Sequence, residues 1–293
     1  MSRYKITRST RKLLSVASCL LFLLLLVTIC TSASGIDRET DAKKWLKELK
    51  PCKDDIIKKE TECNAESRTD EGFLLAGGRD NIIRVPLNGD AAKNVNMDGE
   101  LYASDYDCVQ KRFYYMGTGT KISSAKYDGT DRKSLNTKDV GDPRQLTVDW
   151  ISRRLYWLDR QKRTVEVASL ENPNVRTTVV TNISGKSIIT VDPLNGKLYI
   201  ADGHDDIVSY NLDGSDPEKF TSPVRITKMK VSMSTGELCY IRPFQFHSNV
   251  ECINTRNKQV RQIYTNEGQK SLNNPLAQLA VDENMIYWTG ESG

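Results

Sequence analysis

The sequence has few of the residues and motifs on which enzymes depend. Only two of its 293 residues are histidines, His204 and His247. No G-x-S-x-G, H-E-x-x-H, P-loop or G-x-G-x-x-G motif stands in a suitable context. No C-x-x-C or Cys/His spacing typical of zinc is present either. We therefore predict a protein that is not an enzyme, with no catalytic residue, no metal and no cofactor.

Neither sign of charge dominates once the amino terminus is set aside. The formal charge of +4 reflects 42 Lys and Arg against 38 Asp and Glu. Residues 1–34 hold five of the basic residues and no acidic residue, which leaves 37 basic and 38 acidic residues in the rest. A basic nucleic-acid footprint is absent, so we expect no nucleic-acid partner. The mixed composition also excludes collagen-like and fully disordered chains.

No apolar run after residue 34 is long enough to cross a membrane. Before it, basic residues precede an apolar stretch from Leu13 to Ile29, and the small residues Thr31 and Ala33 follow. This order is typical of a secretory signal peptide, which we assign to residues 1–34. An uncleaved signal anchor is the alternative, since about 17 residues is near the lower limit for a span. Either way, the remainder is expected to be secreted or on the extracellular face of the plasma membrane.

Five cysteines remain after residue 34, and an oxidising compartment favours disulfides between them. Cys52 and Cys63 are close enough in sequence to close a small loop. Cys239 and Cys252 flank one loop symmetrically, which predicts a cross-strand disulfide, with two reduced buried thiols as the alternative. Cys108 has no evident partner. Five is an odd number, so we expect at least one cysteine to be unpaired or bonded to another chain.

Residues 35–72 are predicted to form a charged leader. Its segment from Asp41 to Lys50 has the pattern of a short helix, which Pro51 would end. The favoured interpretation is a tethered or frayed segment. Further along, Asn182 begins an N-glycosylation sequon, which fits a secreted surface.

From residue 73 onward, short runs of Val, Ile, Tyr and Leu alternate with Gly, Asn, Asp and Pro turns, which predicts many short strands. Self-comparison reveals a repeat of about 40 residues centred on an aromatic doublet. The aligned segments are Phe113-Tyr114-Tyr115, Leu155-Tyr156-Trp157, Leu198-Tyr199-Ile200, Leu238-Cys239-Tyr240 and Ile286-Tyr287-Trp288, with a further copy at Leu74. Each repeat reads as four strands, for example 145–149, 154–158, 164–169 and 176–181. A sheet of this size cannot bury both faces alone, so we predict a β-propeller of about six radially stacked blades.

The segments Tyr156-Trp157-Leu158-Asp159 and Tyr287-Trp288-Thr289-Gly290 resemble the YWTD motif of the low-density lipoprotein receptor class B repeats. Ala201-Asp202 is a weaker copy. The resemblance covers residues 73–293 and implies an all-β, six-bladed β-propeller of YWTD type used for extracellular binding. Relatives of this kind include lipoprotein receptors, Wnt co-receptors and nidogen-type matrix proteins.

The sequence departs from the family pattern in two ways. The motif aspartate is present only at Asp159 and Asp202, and the sequence stops at Gly293, after strand two of the last repeat. We therefore expect the last blade to be incomplete. An open propeller exposes apolar faces and strand edges, so we expect either a fragment of a longer product or a poorly folding chain. A membrane link would come only from an N-terminal anchor or from a missing C-terminal segment.

The recurring motif residues are expected to be structural. An aspartate that recurs once per repeat most simply caps a turn or bonds between blades, and the aromatic doublets pack between blades. The residues concerned are Tyr114, Asp149, Tyr156, Trp157, Asp159, Asp192, Tyr199, Asp202, Tyr287 and Trp288.

Partners of propellers usually meet one face, which is built from the loops between strands two and three and the connections between blades. In three consecutive repeats those loops carry cationic, aromatic and imidazole side chains, a composition that fits protein binding and ordinary solvated loops about equally. The candidates are Arg160, Lys162, Arg163, His204, Arg242, Phe244, Phe246 and His247. Because two of them are histidines, acidification through a pH of about 6.5 is predicted to change partner affinity.

The leading functional prediction is an extracellular, non-enzymatic protein-binding module of the lipoprotein-receptor or Wnt-co-receptor type. One alternative is a calcium-dependent hydrolase or lactonase with a six-bladed propeller, which needs acidic ligands converging on the central channel. The other is a basement-membrane structural protein of nidogen type.

Overall fold

The structure is a computed structural model that describes residues 72–77, 82–95, 103–116, 121–135, 140–202, 206–220, 226–233, 235–244, 247–265, 276–281 and 285–290. All regular elements in these ranges are β-strands. Within them there is no helix with the length and apolarity that a membrane span requires. The predicted signal segment, the charged leader and its short helix lie outside the described residues.

Twenty-one strands form antiparallel sheets of consecutive strands. Blade one contains β1 (Phe73–Gly77), β2 (Ile82–Pro86) and β3 (Lys93–Asn94). Blade two contains β4 (Ala103–Asp107), β5 (Arg112–Met116), β6 (Ile122–Lys126) and β7 (Lys133–Ser134). Blade three contains β8 (Pro143–Asp149), β9 (Arg154–Asp159), β10 (Thr164–Ser169) and β11 (Arg176–Val180). Blade four contains β12 (Ile188–Asp192), β13 (Lys197–Ala201), β14 (Ile207–Asn211) and β15 (Glu218–Phe220). Blade five contains β16 (Lys228–Ser232), β17 (Glu237–Pro243), β18 (Ser248–Asn254) and β19 (Val260–Thr265). A hairpin of β20 (Leu276–Val281) and β21 (Ile286–Gly290) follows.

The prediction of six blades is wrong for this structure, which shows five blades of a β-propeller. In the described residues the last repeat supplies only β20 and β21, and their sheet has two strands, whereas blades two to five have four. The hairpin packs on blade five, because Leu279 and Trp288 join the apolar cluster around Ile241. The all-β propeller architecture itself is confirmed.

The aromatic doublet of each repeat packs in two directions because adjacent strand residues point to opposite faces of their sheet. In blade three, Tyr156 lies in the apolar cluster shared with blade four, whereas Trp157 lies in the cluster shared with blade two. The Tyr156 hydroxyl also donates a hydrogen bond of 3.0 Å to the carbonyl of Leu212 in blade four. Tyr114 and Tyr199 face the following blade in the same way. These doublets therefore join the blades.

The first strands of blades two to five and of the last hairpin line the centre of the ring, where β4, β8, β12, β16 and β20 contact one another in turn. Such a strand has a free edge whose N–H groups need acceptors. The side chain of the preceding blade supplies one: Asp105 Oδ2 accepts from Val148 N at 2.8 Å, and Thr147 Oγ1 accepts from Val191 N at 3.3 Å. The blades are thus linked at the axis as well as through their apolar faces.

The turns between strands three and four bring neighbouring blades into backbone contact. Gly214 has a φ of +85°, and a Cβ built there would lie 1.9 Å from the carbonyl oxygen of Val179 in the preceding blade. Gly129 of blade two repeats the arrangement against blade one, where a Cβ would lie 2.4 Å from the carbonyl oxygen of Val95. Both positions need glycine because of conformation and because of space.

All three cysteines among the described residues are disulfide-bonded. Cys239 and Cys252 lie directly opposite each other in β17 and β18 and are joined by a disulfide. Cys108 is also half of a disulfide, whose other half lies outside the described residues. The predicted pair of Cys52 and Cys63 also lies outside them. The absence of an evident partner for Cys108 in the sequence is thus no sign of a free thiol.

Candidate functional site

Antiparallel strand order places two kinds of connection at opposite ends of the ring. We call the end with the loops between strands two and three and the connections between blades the upper face. The other end, with the turns between strands one and two and between strands three and four, is the lower face. The predicted partner-binding loops all start at the end of a second strand, so they share the upper face. They belong to blades three, four and five, which are consecutive.

Asp159, at the end of β9, fixes the connection that enters its own blade. Its Oδ2 accepts from Gly141 N at 2.8 Å, and its Oδ1 accepts from Asp142 N at 3.2 Å and Lys162 N at 3.0 Å. Burial acts to raise the pKa of this carboxyl, but the three backbone donors outweigh it and hold the pKa below its usual range. One ionised side chain therefore holds two segments of the upper face together.

Asp202 does the same in blade four. Its Oδ1 accepts from Ser184 N at 3.1 Å and from the hydroxyl of Ser187 at 2.8 Å. The segment that it fixes contains the sequon residue Asn182, whose side chain is exposed and whose φ is +60°. Both motif aspartates thus fix segments of the upper face, with Asp159 buried and Asp202 exposed.

The aspartates at the ends of the first strands lie on the lower face and accept hydrogen bonds from the turns that follow them. Asp149 Oδ1 accepts from Ile151 N at 3.1 Å and Ser152 N at 3.0 Å, and its Oδ2 accepts from the Ser152 hydroxyl. Asp192 accepts from the backbone and side-chain nitrogens of Asn195. Burial raises the pKa of both carboxyls. They close the turns between strands one and two.

The loop at the tip of β17 and β18 carries an exposed aromatic stack. Phe244 is 38% exposed, and its ring lies 4.4 Å from the imidazole of His247 at an interplanar angle of 13°. The guanidinium of Arg242 lies 4.5 Å from the centre of the same ring, in cation–π contact. Phe244 N donates to the carbonyl of His247 at 2.7 Å, which closes the tip. We call Arg242, Phe244 and His247 the blade-five tip.

The base of the blade-five tip is fixed in the sheet. Arg242 Nη1 lies 3.5 Å from Oε1 of the buried Glu251 on β18. Burial, together with Glu251, raises the pKa of Tyr240 on the same strand as Arg242, so this hydroxyl stays neutral. The Cys239–Cys252 disulfide crosses the same two strands three residues below Arg242. The two strands that carry the tip are thus cross-linked directly below it.

The blade-three loop presents cations. Arg160, Lys162 and Arg163 are exposed, as the sequence predicts for loop residues. Arg160 Nε donates to Asp142 Oδ2 at 2.6 Å, and Arg144 Nε lies 2.9 Å from the other oxygen of this carboxylate. Asp142 is not among the predicted site residues. It lies 18 residues before Arg160 in the sequence, and no motif or spacing indicates that the two residues meet. His204 and Phe246 lie outside the described residues.

Comparison with known proteins gives the relatives of the chain. No protein-family model matches it. It is 34% identical over 228 residues to Nidogen of Drosophila melanogaster, an alignment that covers 75% of the chain and 16% of the relative. It is 28% identical over 167 residues to low-density lipoprotein receptor-related protein 5 of Homo sapiens, covering 54% of the chain and 10% of that protein. The chain belongs to the low-density lipoprotein receptor class B, or YWTD, repeat family.

Solved structures agree on the fold of the YWTD propeller. The crystal structure of a nidogen/laminin complex matches with a TM-score of 0.64 at 21% identity, covering 75% of the chain and 86% of that chain. An oligogalacturonate lyase in complex with manganese matches with a TM-score of 0.51 at 11% identity, covering 71% and 65%. Identities this low establish the fold alone. The chain spans less than a fifth of the length of these two curated relatives, 16% of one and 10% of the other.

The centre of the YWTD propeller is crossed by an ion pair. Lys230 Nζ on β16 lies 2.8 Å from Asp105 Oδ1 on β4, and these strands are not neighbours in the ring. The pair therefore spans the channel. It engages Oδ1 of Asp105, and Oδ2 accepts a hydrogen bond from Val148 N in blade three, so both oxygens of this carboxylate have partners. In the described ranges no group of three or more His, Cys, Asp or Glu side chains is arranged to hold a metal ion. The partners are 125 residues apart, so the pair leaves no signal in the sequence.

Asp159→Asn is expected to destabilise the YWTD propeller by about 2 kcal/mol at neutral pH. Both carboxylate oxygens of Asp159 accept backbone N–H groups, and an amide nitrogen cannot accept, so one buried donor loses its partner. The measurement is the free energy of unfolding from urea titration. Since the folded-state pKa of Asp159 is lowered, its contribution is present above the usual carboxyl pKa and is lost as pH falls through the lowered value.

Asp149→Asn is the matched control for this change. Only Oδ1 of Asp149 accepts from the backbone, and an amide group can donate to the Ser152 hydroxyl. Burial raises the pKa of Asp149, so its ionised form costs stability as pH rises through that value, and a neutral isostere avoids this cost. We expect a change within about 1 kcal/mol. Equal losses for the two variants would contradict the distinct roles of Asp159 and Asp149.

Proposed function

We propose that the chain is an extracellular, non-enzymatic propeller that binds another extracellular protein through its upper face. The observation that carries the proposal is the blade-five tip, an exposed Phe244 whose ring contacts both Arg242 and His247. The Phe244 side chain is 38% exposed, and a partner pocket could bury this exposed part. Lipoprotein-receptor and nidogen relatives support the same class of function.

Rigidity is what makes the blade-five tip suited to binding. Aromatic and arginine side chains dominate the energetics of protein interfaces, and a side chain ordered in advance loses less entropy on association. The backbone hydrogen bond of Phe244 to His247 and the disulfide below it order the tip before any partner arrives. The cationic loop of blade three would then add electrostatic steering at the rim.

Laminin is the first partner to test. One structural match is a nidogen/laminin complex, and the Nidogen of Drosophila melanogaster aligns with three quarters of this chain. We therefore propose a matrix protein of the laminin kind as the partner. We also propose secretion through a signal peptide at residues 1–34, a leader at 35–72 and the binding propeller from residue 73 onward.

An enzymatic function gains no specific support from the site. A calcium-dependent hydrolase needs free acidic oxygens directed into the channel, and both oxygens of Asp105 are already engaged. The buried aspartates Asp149, Asp159 and Asp192 bind backbone amides or turn residues. The likeness to the lyase structure concerns the fold alone.

Phe244→Ala is expected to weaken laminin binding by the full chain about 10- to 100-fold, the cost of removing an interface hot spot. Surface plasmon resonance with immobilised laminin measures the effect. Val175→Ala is the matched control, since Val175 is 62% exposed on the lower face, and it should leave the affinity unchanged. Absence of binding by the unaltered chain would rule out laminin as the partner. An equal loss in both variants would contradict the choice of face.

A further inference from the structure

A second group of side chains on the upper face has an excess of positive charge. Arg160, Lys162 and Arg163 follow β9, and Lys186 lies in the connection before β12. All four are exposed. Among the described residues, only Arg160 of these four has a carboxylate partner, Asp142. We call these four residues the blade-three cluster.

The two segments of the blade-three cluster are fixed against each other. Arg163 and Ile183 exchange two hydrogen bonds of 3.1 Å, one from Ile183 N to the carbonyl of Arg163 and one from Arg163 Nε to the carbonyl of Ile183. Gly185 lies so close to Arg160 that a Cβ would be 2.6 Å from its Cγ. Lys186 is therefore held beside the loop, and the four cations form one patch.

The nearby acidic groups Asp142, Asp159 and Asp202 offset this patch only in part, since with Arg144 five cations lie beside three carboxylates. Asp159 is buried and its oxygens accept backbone N–H groups. Asp142 is shared between Arg144 and Arg160, so two cations surround one anion. The ammonium groups of Lys162 and Lys186 remain available to an external anion, as do the terminal nitrogens of Arg163.

The chemistry of the blade-three cluster differs from that of the blade-five tip, because its exposed neighbours Gln161 and Asn182 are polar and it presents no aromatic or aliphatic anchor among the described residues. Protein hot spots depend on such anchors, whereas a linear polyanion needs only spaced cations. Arginine also binds tetrahedral oxyanions in a bidentate manner. We propose that the blade-three cluster binds a sulfated glycosaminoglycan of the heparan sulfate class, a second ligand beyond the protein partner.

The position of Asn182 bears on how this is tested. Its exposed side chain is next in sequence to Ile183, which is bonded to Arg163. A glycan attached there would lie at the edge of the cluster and would cover part of it. The purified full chain is therefore treated before binding is measured with an endoglycosidase that leaves one N-acetylglucosamine on Asn182, since complete removal of the glycan by amide hydrolysis would turn Asn182 into a negatively charged aspartate.

The experiment measures the affinity of the full chain for a heparin octasaccharide by isothermal titration calorimetry at several salt concentrations. The test variant is Lys162→Gln/Lys186→Gln, whose side chains are exposed and form no ion pair within the described residues. We expect a loss of about tenfold and a fall of about two in the slope of log affinity against log salt. The control Lys93→Gln/Lys126→Gln removes the same charge elsewhere and should change neither quantity.

Three results would overturn the proposal. They are no measurable heparin binding by the unaltered chain, an equal loss in the test and control variants, or equal affinity for desulfated heparin. Phe244→Ala should leave heparin binding unchanged while it reduces laminin binding. A failure of heparin binding with laminin binding intact would therefore remove this inference and leave the proposed protein-binding function standing.

Discussion

Gly214→Ala is expected to lower the free energy of unfolding by about 2 to 4 kcal/mol, because a Cβ there would make the shortest contact of any glycine among the described residues. The residue has a φ of +85°, which costs an L-residue about 1 kcal/mol or more. The added carbon would also lie 1.9 Å from the carbonyl oxygen of Val179, a backbone atom of the preceding blade. Blades three and four would have to separate to admit it, and overpacking of this kind costs about 1–3 kcal/mol or more.

Gly196→Ala separates these two contributions. Gly196 also has a positive φ, +64°, but a Cβ there would meet nothing within 4 Å. Its substitution should cost about 1 kcal/mol, from backbone conformation alone. Urea titration of both variants measures the difference. Equal losses would show that the close approach of the two blades does not exist.

Removal of the Cys239–Cys252 disulfide is expected to cost about 2–4 kcal/mol in the variant Cys239→Ala/Cys252→Ala. The two residues are 13 apart in sequence, and a cross-link that closes a loop of this size constrains the unfolded chain by about 3 kcal/mol. Both side chains are fully buried, so the lost sulfur atoms add a packing cost. The free energy of unfolding is measured with and without reductant.

Reductant serves as the internal control because it also acts on the disulfide of Cys108. It should destabilise the unaltered chain more than the double variant, which has already lost one cross-link. Loss of this disulfide should also weaken laminin binding, since the disulfide lies below Arg242 at the base of the blade-five tip. A double variant as stable as the oxidised unaltered chain would contradict the structural role of this disulfide.

Local patterns in the sequence predict the individual strands well. For blade three the alternation of apolar residues and turns predicts strands at 145–149, 154–158, 164–169 and 176–181. The structure has them at Pro143–Asp149, Arg154–Asp159, Thr164–Ser169 and Arg176–Val180. The symmetric positions of Cys239 and Cys252 about a loop likewise predict cross-strand neighbours. These features depend on contacts between residues that are close in sequence.

Contacts between blades are not predictable in the same way, because they join residues that are far apart in the sequence. The partner of Lys230 is Asp105, and a lysine beside an apolar strand residue gives no indication of an anion across the ring. The sequence marks Gly214 as a turn residue but does not reveal that Val179 lies against it. Among the described residues, the sixth repeat forms only the two-stranded sheet of β20 and β21, so the structure shows five blades where six were expected, the last of them incomplete.

Hydrogen–deuterium exchange with bound laminin shows whether the partner docks on the upper face, because it locates the partner on the propeller without any substitution. We expect slower exchange on the upper face, at residues 160–163, 242–244 and 247. The turns at 127–132 and 211–216 on the lower face should exchange as they do in the free chain. Protection of the lower-face turns with the upper face unchanged would contradict the claim that partners dock on the loops between strands two and three.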